Sequence, residues 1–268
     1  MNEARVHLRA FLAVLGRDLR VYVSYRTRLV SQALTVVFSL TLFYYVSRLV
    51  HVRSFTQEGY FGFVVVGIAM VSVLYSCFSI SELVRQELVA GTFERLLLSP
   101  FGAVRSVIAM ALFPLAYSFV IAALTLGAGC LFFGLHLHWS TVPLAVPVSL
   151  LALAAFMPFG LLFAALTVVV KQGSVGTSWV IALLSIVGGL YFPVTLLPHW
   201  VRTAASVQPF TSATAELRHL LVGGATTGAP AGALVRMALF AAVLLPLSTI
   251  VLDGAIRLGQ RRGTVIEY

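Results

Sequence analysis

Long runs of apolar residues without charge fill most of this chain, and short charged segments separate them. Leu29 to Ser47 and Tyr60 to Ser81 contain no Asp, Glu, Lys or Arg. A helix needs roughly 20 apolar residues to cross the roughly 30 Å hydrocarbon core of a membrane. Each of these two runs therefore predicts one membrane-spanning helix.

A third run is too long for a single span. No charged residue occurs between Arg105 and Lys171, and at 1.5 Å per residue a helix of that length measures roughly three bilayer thicknesses. Polar and helix-breaking residues between Gly134 and Pro147 predict a turn there, which makes spans three and four. Val175 to about Leu190 and Ala231 to Leu252 predict spans five and six. We expect an all-α polytopic membrane protein of six transmembrane helices, forming one domain over residues 1–268.

The N-terminal segment, residues 1–28, has a different pattern. From Ala4 to Tyr22, apolar residues recur at helical spacing and basic residues occupy the other side. The basic residues are Arg5, Arg9, Arg17 and Arg20. A stripe of this kind is typical of an amphipathic helix that lies at the membrane interface rather than crossing it.

The segment 191–224, between spans five and six, is too broken to span and too apolar for an ordinary loop. Its candidate functional residues are Tyr191, Phe192, Pro193, Pro198, Trp200, Pro209 and Arg218. Irregular backbone at membrane depth is tolerated only where protein or water covers it. We therefore expect a re-entrant helical hairpin on the outer side.

Composition and charge narrow the class of protein. Only 10% of the residues are charged, compared with about a quarter in soluble domains, so a soluble fold is excluded. The net charge of +9 comes from residues that flank the apolar runs, which favours membrane lipids over nucleic acid as the partner. Most Lys and Arg residues fall on the side of the termini, so both termini are expected in the cytoplasm.

The chain lacks the residues that nucleotide or metal chemistry requires. The only lysine, Lys171, follows Val170, so the sequence has no phosphate-binding loop ending in Gly-Lys-Ser/Thr. His136 and His138 have no further metal ligands nearby and are interpreted as loop residues. We expect no cofactor on this chain, and any ATP and Mg²⁺ would be bound by a partner chain.

The connection between spans two and three carries a recognisable motif. Arg85 to Pro100 reads RQELVAGTFERLLLSP, which resembles the coupling helix of type-two ABC exporter permeases. The family's fifth span and outer hairpin are similar to Gly188 to Val194 and to Arg218 to Gly224. By this resemblance the residues that dock on the ATPase are Arg85, Glu87, Gly91, Thr92, Phe93, Glu94, Arg95, Leu96, Leu97 and Pro100. The i, i+4 spacing of Phe93 and Leu97 suggests an exposed apolar face that anchors the contact.

The resemblance implies a multi-pass permease of the bacterial inner membrane, paired with an ABC ATPase and with a second permease copy or a related chain. The expected substrate is lipophilic or lipid-linked: a drug, a glycolipid or a polysaccharide. The alternative is a membrane anchor or assembly subunit that transports nothing. An intramembrane enzyme would need a buried polar constellation, which the sequence does not contain.

Overall fold

The computed structural model describes residues 16, 26–49, 57–97, 102–170, 174–223 and 230–261. Within these ranges the chain is helical and has no strand. The helices are α1 (Arg26–Leu49), α2 (Gln57–Val89), α3 (Phe93–Leu97), α4 (Ala103–Phe133), α5 (Val142–Val170), α6 (Ser174–Val187), α7 (His199–Val207), α8 (Pro209–Val222) and α9 (Pro230–Arg261), with a 3₁₀ turn at Val194–Leu196. The predicted interfacial helix, with Arg5, Arg9, Arg17 and Arg20, lies outside the described residues.

Five of the described helices, α1, α2, α4, α5 and α9, are long and apolar enough to cross a membrane. The longest, α2, has 33 residues and so measures about 50 Å. The fifth predicted span corresponds to α6, which stops after 14 residues, about 21 Å. The structure thus confirms an all-helical chain with five span-length helices in its described part, and the sixth span stays a prediction.

The predicted turn between spans three and four is present but shorter than expected. Helix α4 ends at Gly134, which has a left-handed φ of 67°, and α5 begins at Val142. Pro147 lies inside α5, although the sequence suggested that the turn extended to it. A proline removes one backbone hydrogen bond from a helix, but α5 continues past it to Val170.

Helices α2 and α5 form the centre of the bundle, with α4 packed on α2, α9 packed on α5, and α1 against α2 and α4. Helices α2 and α5 approach closely because Gly160 has no side chain. A Cβ atom at Gly160 would lie 1.9 Å from the carbonyl oxygen of Cys77. The backbone of α5 therefore rests directly on α2, as small residues allow in membrane bundles.

Helix α8 is inserted between the long helices, where it contacts α2, α5 and α9. At its start, the Phe210 ring lies 5.7 Å from the ring of Phe156, halfway along α5. At its end, the Leu221 carbonyl accepts a 2.9 Å hydrogen bond from the His138 backbone N–H in the turn before α5. Helix α8 therefore runs from the middle of the bundle to the end that carries the Gly134–Thr141 turn.

Candidate functional site

The end of α2 is closed by a tight glycine turn. Gly91 has a φ of 66°, and its N–H donates to the Leu88 carbonyl while the Thr92 N–H donates to the Glu87 carbonyl. This pair of bonds is the Schellman motif, which requires a left-handed residue and so favours glycine. The chain reverses here and enters α3 at once.

The sequence predicted a coupling helix over residues 85–100. In the structure, Arg85 to Val89 are instead the last turn of α2, and only the short helix α3 follows the glycine turn. The Thr92 hydroxyl donates to the Glu87 carboxylate, and the Thr92 carbonyl accepts a 3.0 Å bond from the Arg95 N–H. Glu94 and Arg95 are exposed, as are Ala90 and Gly91. These four residues form a ridge of both charge signs at the tip of the connection, which we call the α3 ridge.

Phe93 does not belong to this ridge, and the prediction that it offers an exposed anchor face is wrong. Its side chain is 1% exposed and belongs to the core cluster that includes Leu88 and Val107. Leu97 packs against the same cluster. The i, i+4 apolar face therefore holds α3 against its own chain. The Leu96 side chain and Pro100 lie outside the described residues.

Arg85 and Glu87 have intramolecular partners. The Arg85 guanidinium forms two hydrogen bonds to the Glu82 carboxylate, of 2.6 and 2.8 Å. Glu87 accepts the bond from Thr92. Both side chains thus stabilise the end of α2 and do not form part of the α3 ridge.

One face of α2 is polar in the middle of an otherwise apolar span. Its members repeat every three or four residues, which places them on one side of the helix: Ser72, Tyr75, Ser76, Ser79 and Glu82. Tyr75 is 54% exposed, and a cavity of about 220 Å³ lies between this face and Thr177 and Ser178 of α6. Our sequence analysis missed this polar face, although the spacing alone could have revealed it.

A second glycine turn closes α6. Gly189 has a φ of 73°, and the Leu190 N–H donates to the Ser185 carbonyl as the Gly189 N–H donates to that of Ile186. Gly188 serves a different purpose, because a Cβ there would lie 2.1 Å from the Phe210 ring. Gly188 therefore leaves room for Phe210 at the start of α8, and Gly189 allows the left-handed turn that ends α6.

Arg218 connects α8 to two other parts of the structure. It is 6% exposed, and its guanidinium donates to the carbonyls of Phe63 in α2, at 2.9 Å, and of Leu190 after α6, at 3.0 Å. The same group lies 3.3 Å from the centre of the Phe63 ring. Gly67 leaves room for it, since a Cβ there would be 2.8 Å from the guanidinium. The guanidinium stays protonated, as arginine does in proteins.

The other predicted residues of the outer segment occupy varied positions. Tyr191 stacks on Phe43 of α1, with ring centres 5.4 Å apart, and Trp200 on α7 is 75% exposed. The three prolines mark helix starts: Pro193 precedes the 3₁₀ turn, Pro198 precedes α7, and the buried Pro209 begins α8. Phe192 is half-buried. Among these predicted residues, Arg218 alone combines charge and burial with hydrogen bonds to two separate parts of the bundle.

Comparison with known proteins agrees with this architecture. A family model described as ABC-2 type transporter matches residues 9–222, which include α1 to α8. No curated protein matches the chain significantly.

Proposed function

The chain belongs to the ABC-2 type transporter family, and from this premise we propose that it is the permease subunit of an ATP-binding-cassette exporter. ATP is hydrolysed on a separate ATPase subunit, which binds the nucleotide and Mg²⁺. The observation that carries this proposal is that the α3 ridge directly follows α2, the helix that carries the polar face. The ridge is a contact for the ATPase and the polar face is a path for the substrate.

The α3 ridge is suited to docking because it projects from the end of a rigid helix. Glu94 and Arg95 present opposite charges, and charged groups of this kind steer association and fix the orientation of a partner. Gly91 has no atom within 4 Å of the position of its absent Cβ, so a partner can approach the backbone closely. With both termini in the cytoplasm, this ridge faces the ATPase.

Helix α2 transmits motion from the ATPase to the far side of the bundle. It continues for 33 residues from Gln57 to Val89, and Phe63, near its other end, accepts a hydrogen bond from Arg218. A displacement of the α3 ridge therefore reaches α8 through one helix and one guanidinium. Because α2 packs closely on α5 at Gly160, a movement of α2 also moves α5 and the helices packed on it.

The substrate path runs along the polar face of α2. The serine hydroxyls donate to carbonyls of their own helix, for example Ser79 to Ser76 at 2.7 Å, and Tyr75 remains exposed. A polar face within a span is unfavourable against lipid, so a second permease copy or a related chain covers it. The exported substrate is a lipophilic or lipid-linked molecule, such as a drug, a glycolipid or a polysaccharide carrier, because the path is uncharged apart from the Glu82–Arg85 pair.

In this proposal α7 and α8 form a re-entrant hairpin on the outer side of the bacterial inner membrane. Its support is the course of α8, which starts beside Phe156 in mid-bundle and ends at the Gly134–Thr141 turn. The hairpin closes the path at that end until α2 moves.

Charge reversal on the α3 ridge tests the docking step. We expect Arg95→Glu to reduce co-purification of the co-expressed cognate ATPase by about tenfold or more, because like charges across an interface cost several kcal/mol. The chain alone should melt as the wild type does, since Arg95 is exposed. Arg261→Glu, an exposed change at the end of α9, is the matched control and should assemble normally. Unchanged assembly of Arg95→Glu would show that the ATPase binds elsewhere.

A further inference from the structure

A cavity of about 350 Å³ lies at the end of the described bundle that carries the Gly134–Thr141 turn. Its volume falls within the roughly 300–1,000 Å³ of small-molecule sites. The ends of α1, α4 and α8 and the start of α2 surround it. It is separate from both the polar face of α2 and the α3 ridge.

Three aromatic rings form a firm wall of this cavity. The Tyr44 ring lies 5.6 Å from Phe61 and 5.2 Å from Phe133, and these last two rings are 5.7 Å apart. Rings in mutual contact at such distances hold one another in place. The cavity is therefore shaped before any ligand enters.

The polar lining is basic. Arg48, His136 and His138 contribute a guanidinium and two imidazoles, and none of the described residues that line the cavity is acidic. Arg48 donates a 2.6 Å hydrogen bond to the Tyr44 hydroxyl and lies 5.1 Å from the centre of its ring, which orients the guanidinium. His138 is fixed through its backbone bond to Leu221 and by close contact of its ring with Gly223. Arginine donors arranged in a fork suit the oxygens of a phosphate.

The side chains on the helix ends beside the cavity are apolar and point away from the bundle. Leu49 is 80% exposed, Leu131 is 83% exposed and Phe132 is 71% exposed, and all three lie on the helix ends that form the cavity. A ligand bound beside them would have a polar head and a hydrocarbon tail. A free anion would leave this apolar surface unused.

We propose that this cavity binds the phosphate headgroup of an anionic membrane lipid in the leaflet on this side. The rings enclose the head, Arg48 and the imidazoles donate hydrogen bonds to the phosphate oxygens, and the acyl chains lie along Leu49, Leu131 and Phe132. This binding does not depend on ATP or on the ATPase. It therefore stands or falls separately from the exporter function.

Lipid-dependent thermal stability of the purified full chain tests the proposal. In a nonionic polyoxyethylene detergent, added phosphatidylglycerol should raise the melting midpoint, because a ligand that binds only the folded state stabilises it. Phosphatidylcholine should raise it much less. Arg48→Gln should weaken the apparent affinity for phosphatidylglycerol by about tenfold, the loss expected for one hydrogen bond to a charged group. Arg202→Gln, on the exposed face of α7 and outside the cavity, should leave the affinity unchanged.

Each other outcome has a definite meaning. Equal shifts with both lipids, or a phosphatidylglycerol shift that survives in both Arg48→Gln and His136→Ala, would overturn the proposal. An equal, Arg48-dependent shift with inorganic phosphate would overturn the lipid as the source of the phosphate. A shift with a neutral alkyl glycoside that ignores Arg48→Gln would point to a sugar site and would also refute the proposal.

Discussion

Replacing Arg218 with methionine removes the guanidinium while keeping an unbranched side chain of similar length. The change deletes the hydrogen bonds to the Phe63 and Leu190 carbonyls, and a bond from a charged donor contributes about 1.5–3 kcal/mol. The cost of burying the guanidinium offsets part of this gain. We expect a net loss of about 2–4 kcal/mol of folding free energy.

Thermal melting of the purified chain in detergent provides the first measurement. For a protein of this size, 1 kcal/mol corresponds to about 2–4 °C, so Arg218→Met should lower the midpoint by roughly 5–15 °C. Arg202→Met is the matched control, because Arg202 is exposed and donates to the Thr195 and Leu197 carbonyls at the surface. That control should cost less than about 1 kcal/mol.

The second measurement compares ATP hydrolysis with transport in the proposed complex of this chain with its ATPase. If Arg218 carries motion from α2 to α8, the Arg218→Lys variant should hydrolyse ATP while moving less substrate per ATP. A lysine ammonium lacks the fork that reaches two acceptors, yet it keeps the charge. A melting midpoint of Arg218→Met equal to that of Arg202→Met would refute the role of Arg218 in stability. Unchanged transport per ATP in Arg218→Lys would refute its role in coupling.

Two further substitutions test packing. Phe93→Ala should destabilise the chain by about 3–5 kcal/mol in the absence of any ATPase, because it empties a fully buried site; if only ATPase assembly were lost, Phe93 would be a docking residue after all. Gly160→Ala should cost about 1–3 kcal/mol or more, since the new methyl group would meet the Cys77 backbone. Gly127→Ala, which meets nothing within 4 Å, should be neutral or slightly stabilising in the same melting assay.

Hydrophobic runs predicted the long helices well because length and lack of charge are the main requirements for crossing a bilayer. The turns at Gly91 and Gly189 were not predicted, although glycine is the usual residue where a helix ends in a left-handed conformation. The end of the turn before α5 was placed too late, at Pro147. A proline signals a lost hydrogen bond, but packing on both sides of it sustained the helix.

The sequence was least informative about which partner an apolar side chain meets. Phe93 and Leu97 share a helix face, and nothing in their spacing distinguishes an ATPase cleft from the chain's own core. Arg218 was identified as a charged residue of the outer segment, but its acceptors are carbonyls of Phe63 and Leu190, which are distant in sequence. Backbone acceptors carry no side-chain signature, so only the three-dimensional structure reveals them.

The close contact between Gly160 of α5 and the Cys77 carbonyl of α2 also has a consequence for the biosynthesis of the protein. Gly160 leaves the ribosome about 80 residues after Cys77, which corresponds to roughly 4–16 s at 5–20 residues per second. During that interval the groove on α2 that will receive α5 can be filled only by lipid or by helices already inserted. Insertion machinery that keeps α2 and α4 together until α5 emerges would protect this groove, and premature release of α2 would expose it to pairing with other chains.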